Sequence, residues 1–78
     1  MRRKTYGFDR MQLHDHYSAD ELADIAMSLR DDPANRNTDS SSVYLYNRQT
    51  RKALDNIAYA IYWHQLDASN ARGVESVV

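Results

Sequence analysis

The sequence contains no cysteine. Neither a disulfide framework nor a thiolate metal staple can hold it together. It has two glycines, too few for a glycine-rich phosphate loop. Its single proline is Pro33, and a helix has to end just before it. No run of about 20 apolar residues occurs, so no membrane span is expected. Arg2, Arg3 and Lys4 form a basic start, but no apolar run follows them, which is not the pattern of a signal peptide. The formal net charge is −1, which argues against a generic polyanion binder. A chain without cysteine fits a reducing compartment, so the expected location is cytoplasmic.

What is present is a short chain with many aromatic residues. Its 78 residues predict one domain, residues 1–78, near the lower limit for a self-sufficient core. Such a chain buries only about 60% of its unfolded surface. Small chains without staples often oligomerise or bind a larger partner. Six tyrosines, one tryptophan and one phenylalanine supply side chains common in cores and interfaces. Charge is segmented. Residues 1–10 carry Arg2, Arg3, Lys4 and Arg10 against Asp9. Residues 11–32 carry Asp15, Asp20, Glu21, Asp24, Asp31 and Asp32 against Arg30. Residues 36–52 carry Arg36, Arg48, Arg51 and Lys52 against Asp39.

Two helix starts are written in local chemistry. Asp9 can cap a helix, with Gln12 closing the box and Phe8 packing on Leu13. This predicts a short helix over about residues 10–16, or alternatively an extended arm. Ser18 and Glu21 repeat the box, with Tyr17 stapled onto Leu22. Asp20 and Glu21 complement the dipole of the first turn. Leu22, Ile25, Ala26 and Leu29 then form one apolar stripe at helical spacing. Pro33 stops this helix near residue 31. Residues 31–42 read as a polar connector.

A long helix is predicted from about Ser42 to Leu66, capped by Ser41 or Ser42. Val43, Tyr44, Leu45 and Tyr46 inside its first turns are individually strand formers. Its core arc would be Val43, Tyr46, Thr50, Ala53, Leu54, Ile57, Ala58 and Ile61. A second arc holds Arg48, Arg51, Lys52 and Asp55, followed by Tyr59, Tyr62, Trp63 and Leu66. Toward its end this helix is apolar almost all round and needs cover on more than one side. The N-terminal segment, a second copy or another protein could provide it. The tail beyond residue 66 is expected to fray, with Gly73 ending any helix.

No enzyme is expected. There is no cysteine nucleophile, and the acids are spread over exposed helix faces. His14-Asp15-His16 is the one metal-like pattern, but on a helix residues two apart do not face each other. Asp20 and His64 are the only further ligands that suggest themselves, so no metal site and no cofactor is predicted. His64 reads as a partly buried histidine donating one hydrogen bond. No small-molecule substrate is evident.

These observations predict an all-α domain with two principal helices and a short N-terminal helix or arm, and an oligomer. The expected function is non-enzymatic regulation or inhibition of a partner protein by surface occupation, with a homodimer or another protein as partner. Tyr59, Tyr62, Trp63 and Leu66 would anchor it, and Asp20 and Asp24 would orient it. The alternative is a small dimeric DNA-binding regulator. It would use Arg48, Arg51 and Lys52 on a helix, with Arg2, Arg3 and Lys4 as a phosphate-contacting arm. An eleven-residue connector is long for a helix-turn-helix, which weakens that alternative.

Overall fold

The computed structural model describes residues 5–38, 41 and 43–76, with side-chain surroundings up to residue 70. The chain is mostly helical. Helix α1 spans Arg10–His16, α2 spans Ala19–Asp31 and α3 spans Arg48–Ser76, with a 3-10 turn at Pro33–Asn35 between α2 and α3. An isolated antiparallel bridge joins Arg36 to Tyr46.

Both expected capping boxes form. Asp9 Oδ1 accepts from the Gln12 amide at 2.9 Å, and Gln12 Oε1 accepts from the Asp9 amide at 3.0 Å. Ser18 Oγ accepts from the Glu21 amide at 3.2 Å, and Glu21 Oε1 accepts from the Ser18 amide at 3.0 Å. Only Tyr17 and Ser18 separate α1 from α2, so the chain reverses sharply there. Arg10 reaches Asn56 and His14 reaches Asp67, so α1 runs in the same direction as α3. His64 meets Tyr17 while Asn35, beyond the far end of α2, meets Asn47. Helix α2 therefore runs antiparallel to α3, and the α1–α2 hairpin straddles one face of the long helix.

That face makes the core. Leu13 comes from α1, Leu22, Ile25, Ala26 and Leu29 from α2, and Ala53, Ile57 and Ala60 from α3. Each large aliphatic side chain buried here contributes about 1.5–3 kcal/mol. On α3 the large Ile57 is flanked by two alanines on this buried line. Tyr6, Phe8, Tyr17, Leu54 and Ile61 pack around the margin.

Helix α3 departs from the expected limits at both ends. It begins at Arg48 and not near Ser42, which itself lies outside the described residues. Asn47 is the reason. Its Oδ1 accepts from the Thr50 amide at 2.8 Å, and its carbonyl accepts from the Arg51 amide at 2.9 Å. The strand-forming stretch before it is not helical: Tyr46 bridges to Arg36, and Asn37 donates to the Leu45 carbonyl at 2.8 Å. Val43 is 92% exposed and so is not a core residue, and Tyr46 is half-buried. Ala58 is exposed as well, whereas Ala60 is fully buried. The core line passes through 53, 57 and 60, and Leu54 and Ile61 flank it. At the other end the helical backbone continues through Gly73 to Ser76. Gly73 keeps a negative φ, so it makes no left-handed turn to end the helix.

The connector is anchored at both ends. Asp32 Oδ1 caps the 3-10 turn through the Ala34 amide at 3.0 Å. Asn35, 5% exposed, is the central piece. Its Nδ2 donates to the Leu29 carbonyl at 2.9 Å, and its carbonyl accepts from the Asn47 amide at 2.9 Å. The Tyr6 hydroxyl donates to Asn35 Oδ1 at 2.7 Å and lies 3.2 Å from Thr50 Oγ1. The last carbonyls of a helix have no partner within it, and Asn35 supplies one for α2.

Candidate functional site

Two groups of side chains on α3 lie outside this core. The first is its outer face. At about 100° per residue, Arg48, Lys52, Asp55, Tyr59, Tyr62 and Leu66 fall on one stripe, and all six are exposed. Tyr59 is 42% exposed, Tyr62 53% and Leu66 38%. Side chains of this size and character remain open to water although α1 and α2 already cover the opposite side. An open groove of about 390 Å³ is lined by Asp55, Ala58, Tyr59 and Tyr62.

Arg10 steadies one edge of the groove. Its guanidinium carbon lies 3.7 Å from the Tyr59 ring centroid, a cation–π contact. Its Nε–H donates to Asn56 Oδ1 at 3.3 Å, and Asp55 lies 4.0 Å from the same guanidinium. Trp63 is half-buried. Its ring centroid is 6.5 Å from that of Tyr59 and 6.2 Å, edge to face, from His14. It therefore sits between the outer face and the α1 contact and does not stand wholly on the exposed stripe.

The charged residues singled out from the sequence do not converge on this face. Asp20 and Asp24 are exposed on the outer side of α2, together with Met27 and Asp31. The inner side of α2 packs on α3, so these acids point away from the aromatic stripe. In the basic patch, Arg51 is engaged by the connector. Its guanidinium carbon lies 3.7 Å from the Tyr44 ring centroid, and its Nε–H donates to the Tyr46 carbonyl at 3.2 Å. Arg48 and Lys52 remain exposed. Arg2, Arg3 and Lys4 lie outside the described residues.

The second group is a histidine cluster between α1 and α3. His64 and Asp67 are three residues apart and so share one side of α3. His14 comes from α1. Its ring stacks on His64 with centroids 4.3 Å apart and planes 27° apart. His14 Nε2 is 2.9 Å from Asp67 Oδ2, and its Nδ1 is 3.3 Å from Asp15 Oδ1. His64 Nε2 donates to the Tyr17 carbonyl at 2.8 Å, the single bond expected of it. Hydrogen bonds to Asp67 first and Asp15 second hold the His14 imidazole above its ordinary pKa. His16 takes no part. It is exposed, and its ring packs beside Phe8 at 5.6 Å. The sequence pattern His14-Asp15-His16 is thus divided, and the partner of His14 is His64. Asp67 is not among the ligands expected from the sequence; its three-residue spacing from His64 on a helix is the signal that points to it.

Among the described residues, no helix is long and apolar enough to cross a membrane. Comparison with protein-family models, with curated proteins and with solved structures returned no match.

Proposed function

We propose that this chain is a non-enzymatic interaction protein that regulates or inhibits a partner protein by laying the outer face of α3 into an apolar groove on it. The observation that carries this reading is the exposed line of Tyr59, Tyr62 and Leu66. Their spacing is that of helix-in-groove anchors. Tyrosine suits the role because it is large, rigid and keeps a polar tip. Arg10 supports it by holding the Tyr59 ring in place before any partner arrives, which lowers the ordering cost of binding. Arg48 and Lys52 continue the same stripe, so the matching groove is acidic at the end that receives them.

The test combines solution mass with site-specific photocrosslinking. A crosslinker at position 62 should yield one discrete adduct with a second protein, and the same group at position 24 should not. Tyr62→Ala should remove that interaction while changing stability by no more than about 0.5 kcal/mol, as for other surface positions. Charge reversal at Arg48 and Lys52 should weaken it and its salt dependence. A stable dimer that crosslinks to itself through position 62 would instead assign the face to self-association. Salt-dependent retention on DNA, lost on the same charge reversal, would replace this reading with DNA binding.

A further inference from the structure

We propose that His14, His64 and Asp67 form a binding site for a divalent transition metal, with zinc as the best chemical match. One nitrogen from each imidazole and one carboxylate oxygen lie within 4.8 Å of one another. Two imidazoles and a carboxylate are a donor set that suits zinc. Three protein ligands would leave the fourth tetrahedral position to water.

The surrounding hydrogen bonds are those of a histidine metal site. A ligating histidine nearly always donates its other N–H to a carbonyl or carboxylate, which fixes its tautomer and orientation. His64 does this through Nε2 to the Tyr17 carbonyl at 2.8 Å, so Nδ1 is left as its lone-pair atom. His14 Nδ1 faces Asp15 Oδ1 at 3.3 Å, and its Nε2 faces Asp67 Oδ2 at 2.9 Å. A metal would take the place of the proton shared between His14 and Asp67. Bonds of 2.0–2.1 Å place tetrahedral ligand atoms about 3.3 Å apart. The His14–Asp67 pair needs to open slightly, the widest pair has to close, and one imidazole has to turn out of the His14–His64 stack so that both lone pairs meet at one point. Asp67 can follow because 66% of its side chain is exposed.

The location gives such a metal a consequence. It would tie α1 to the C-terminal half of α3 in a chain with no cysteine. Metal ions are one of the recurrent staples of small folds. The site rests on different residues from the docking face, so either can fail without the other.

The experiment uses the full chain, stripped of metal with a chelator, desalted, and titrated with Zn²⁺ and then Co²⁺ near neutral pH. Saturation at one equivalent is expected, with a higher melting temperature and a change in emission from Trp63, the only tryptophan. Co²⁺ should give the visible absorption of a tetrahedral site. Asp67→Asn and His64→Gln should each weaken binding by more than about tenfold. Asp15→Asn should cost about tenfold, as removal of an outer-shell partner commonly does. His16→Gln should bind as the parent does. Circular dichroism checks each fold, and Asp67→Asn, at an exposed position, keeps the test decisive if His64→Gln unfolds. Absence of saturable binding, unchanged affinity in Asp67→Asn, or an equal loss in His16→Gln would overturn the assignment.

Discussion

At its N-terminal end α3 meets the chain through buried neutral groups. Thr50 is fully buried, and its hydroxyl faces Tyr6, whose own hydroxyl donates to Asn35. Toward its other end α3 meets α1 through titratable groups that water still reaches. His14 is 23% exposed and Asp67 66%. The two places differ in what their polar atoms are free to do. A buried amide with both ends bonded has one arrangement available and makes the structure rigid. A half-open imidazole beside two carboxylates can bind a proton or a cation, and can exchange one for the other. The same helix therefore holds the fold together at one place and offers chemistry at another.

The sharpest way to break this contrast is at Asn35. Asn35→Ala removes the donor to the Leu29 carbonyl and the acceptor for Tyr6, and leaves buried groups unpaired. We expect a loss of about 2–3 kcal/mol, measured by urea unfolding, with the histidine cluster unaffected. Tyr6→Phe removes only the hydroxyl. It should cost about 1 kcal/mol in the same assay. Thr5 offers the opposite sign. Its hydroxyl is buried and has no hydrogen-bond partner among the described residues. Thr5→Val should therefore be neutral or stabilise by up to about 1 kcal/mol, whereas Thr50→Val should destabilise.

The smallest effect is expected at the titratable place. The pKa of His14 is raised, first by its hydrogen bond to Asp67 and then by that to Asp15. The unfolded value is about 6.5. The contribution of His14 to stability is thus fully present below about pH 6.5 and is lost as pH rises through the higher folded value. In metal-free protein, an NMR titration should place His14 above the ordinary histidine value, and Asp67→Asn should bring it down. Added Zn²⁺ should act in the opposite sense and stabilise more as pH rises, because ligands must first lose their protons. Parallel pH dependence with and without metal would show that the two do not compete for one place.

The first two helices were legible because their signals are short-range. Asp9 with Gln12 and Ser18 with Glu21 close boxes within four residues, and Leu22, Ile25, Ala26 and Leu29 mark a buried stripe by spacing alone. The stop at Pro33 is equally local. The start of α3 is not legible locally, because serines at 41 and 42 offer the same capping chemistry as Asn47. The choice depended on Tyr46 pairing with Arg36, ten residues away across a loop. The docking face was legible in part. Tyr59, Tyr62 and Leu66 are exposed, but Trp63 is shared with α1, and Asp20 and Asp24 face the other side.

By itself, then, the sequence determined helical content, the caps of α1 and α2, the inward stripe of α2 and the surplus of aromatic side chains toward the end of α3. These follow from neighbours one to four residues apart, which meet as soon as a helix forms. Only the tertiary structure decided which half of the His14-Asp15-His16 pattern matters. The reversal at Tyr17 and Ser18 lays α1 along α3, and this brings His14 to an aspartate 53 residues away in sequence. No local spacing encodes that meeting, because it depends on Leu13 of α1 joining Ile57 and Ala60 of α3 in one shared core.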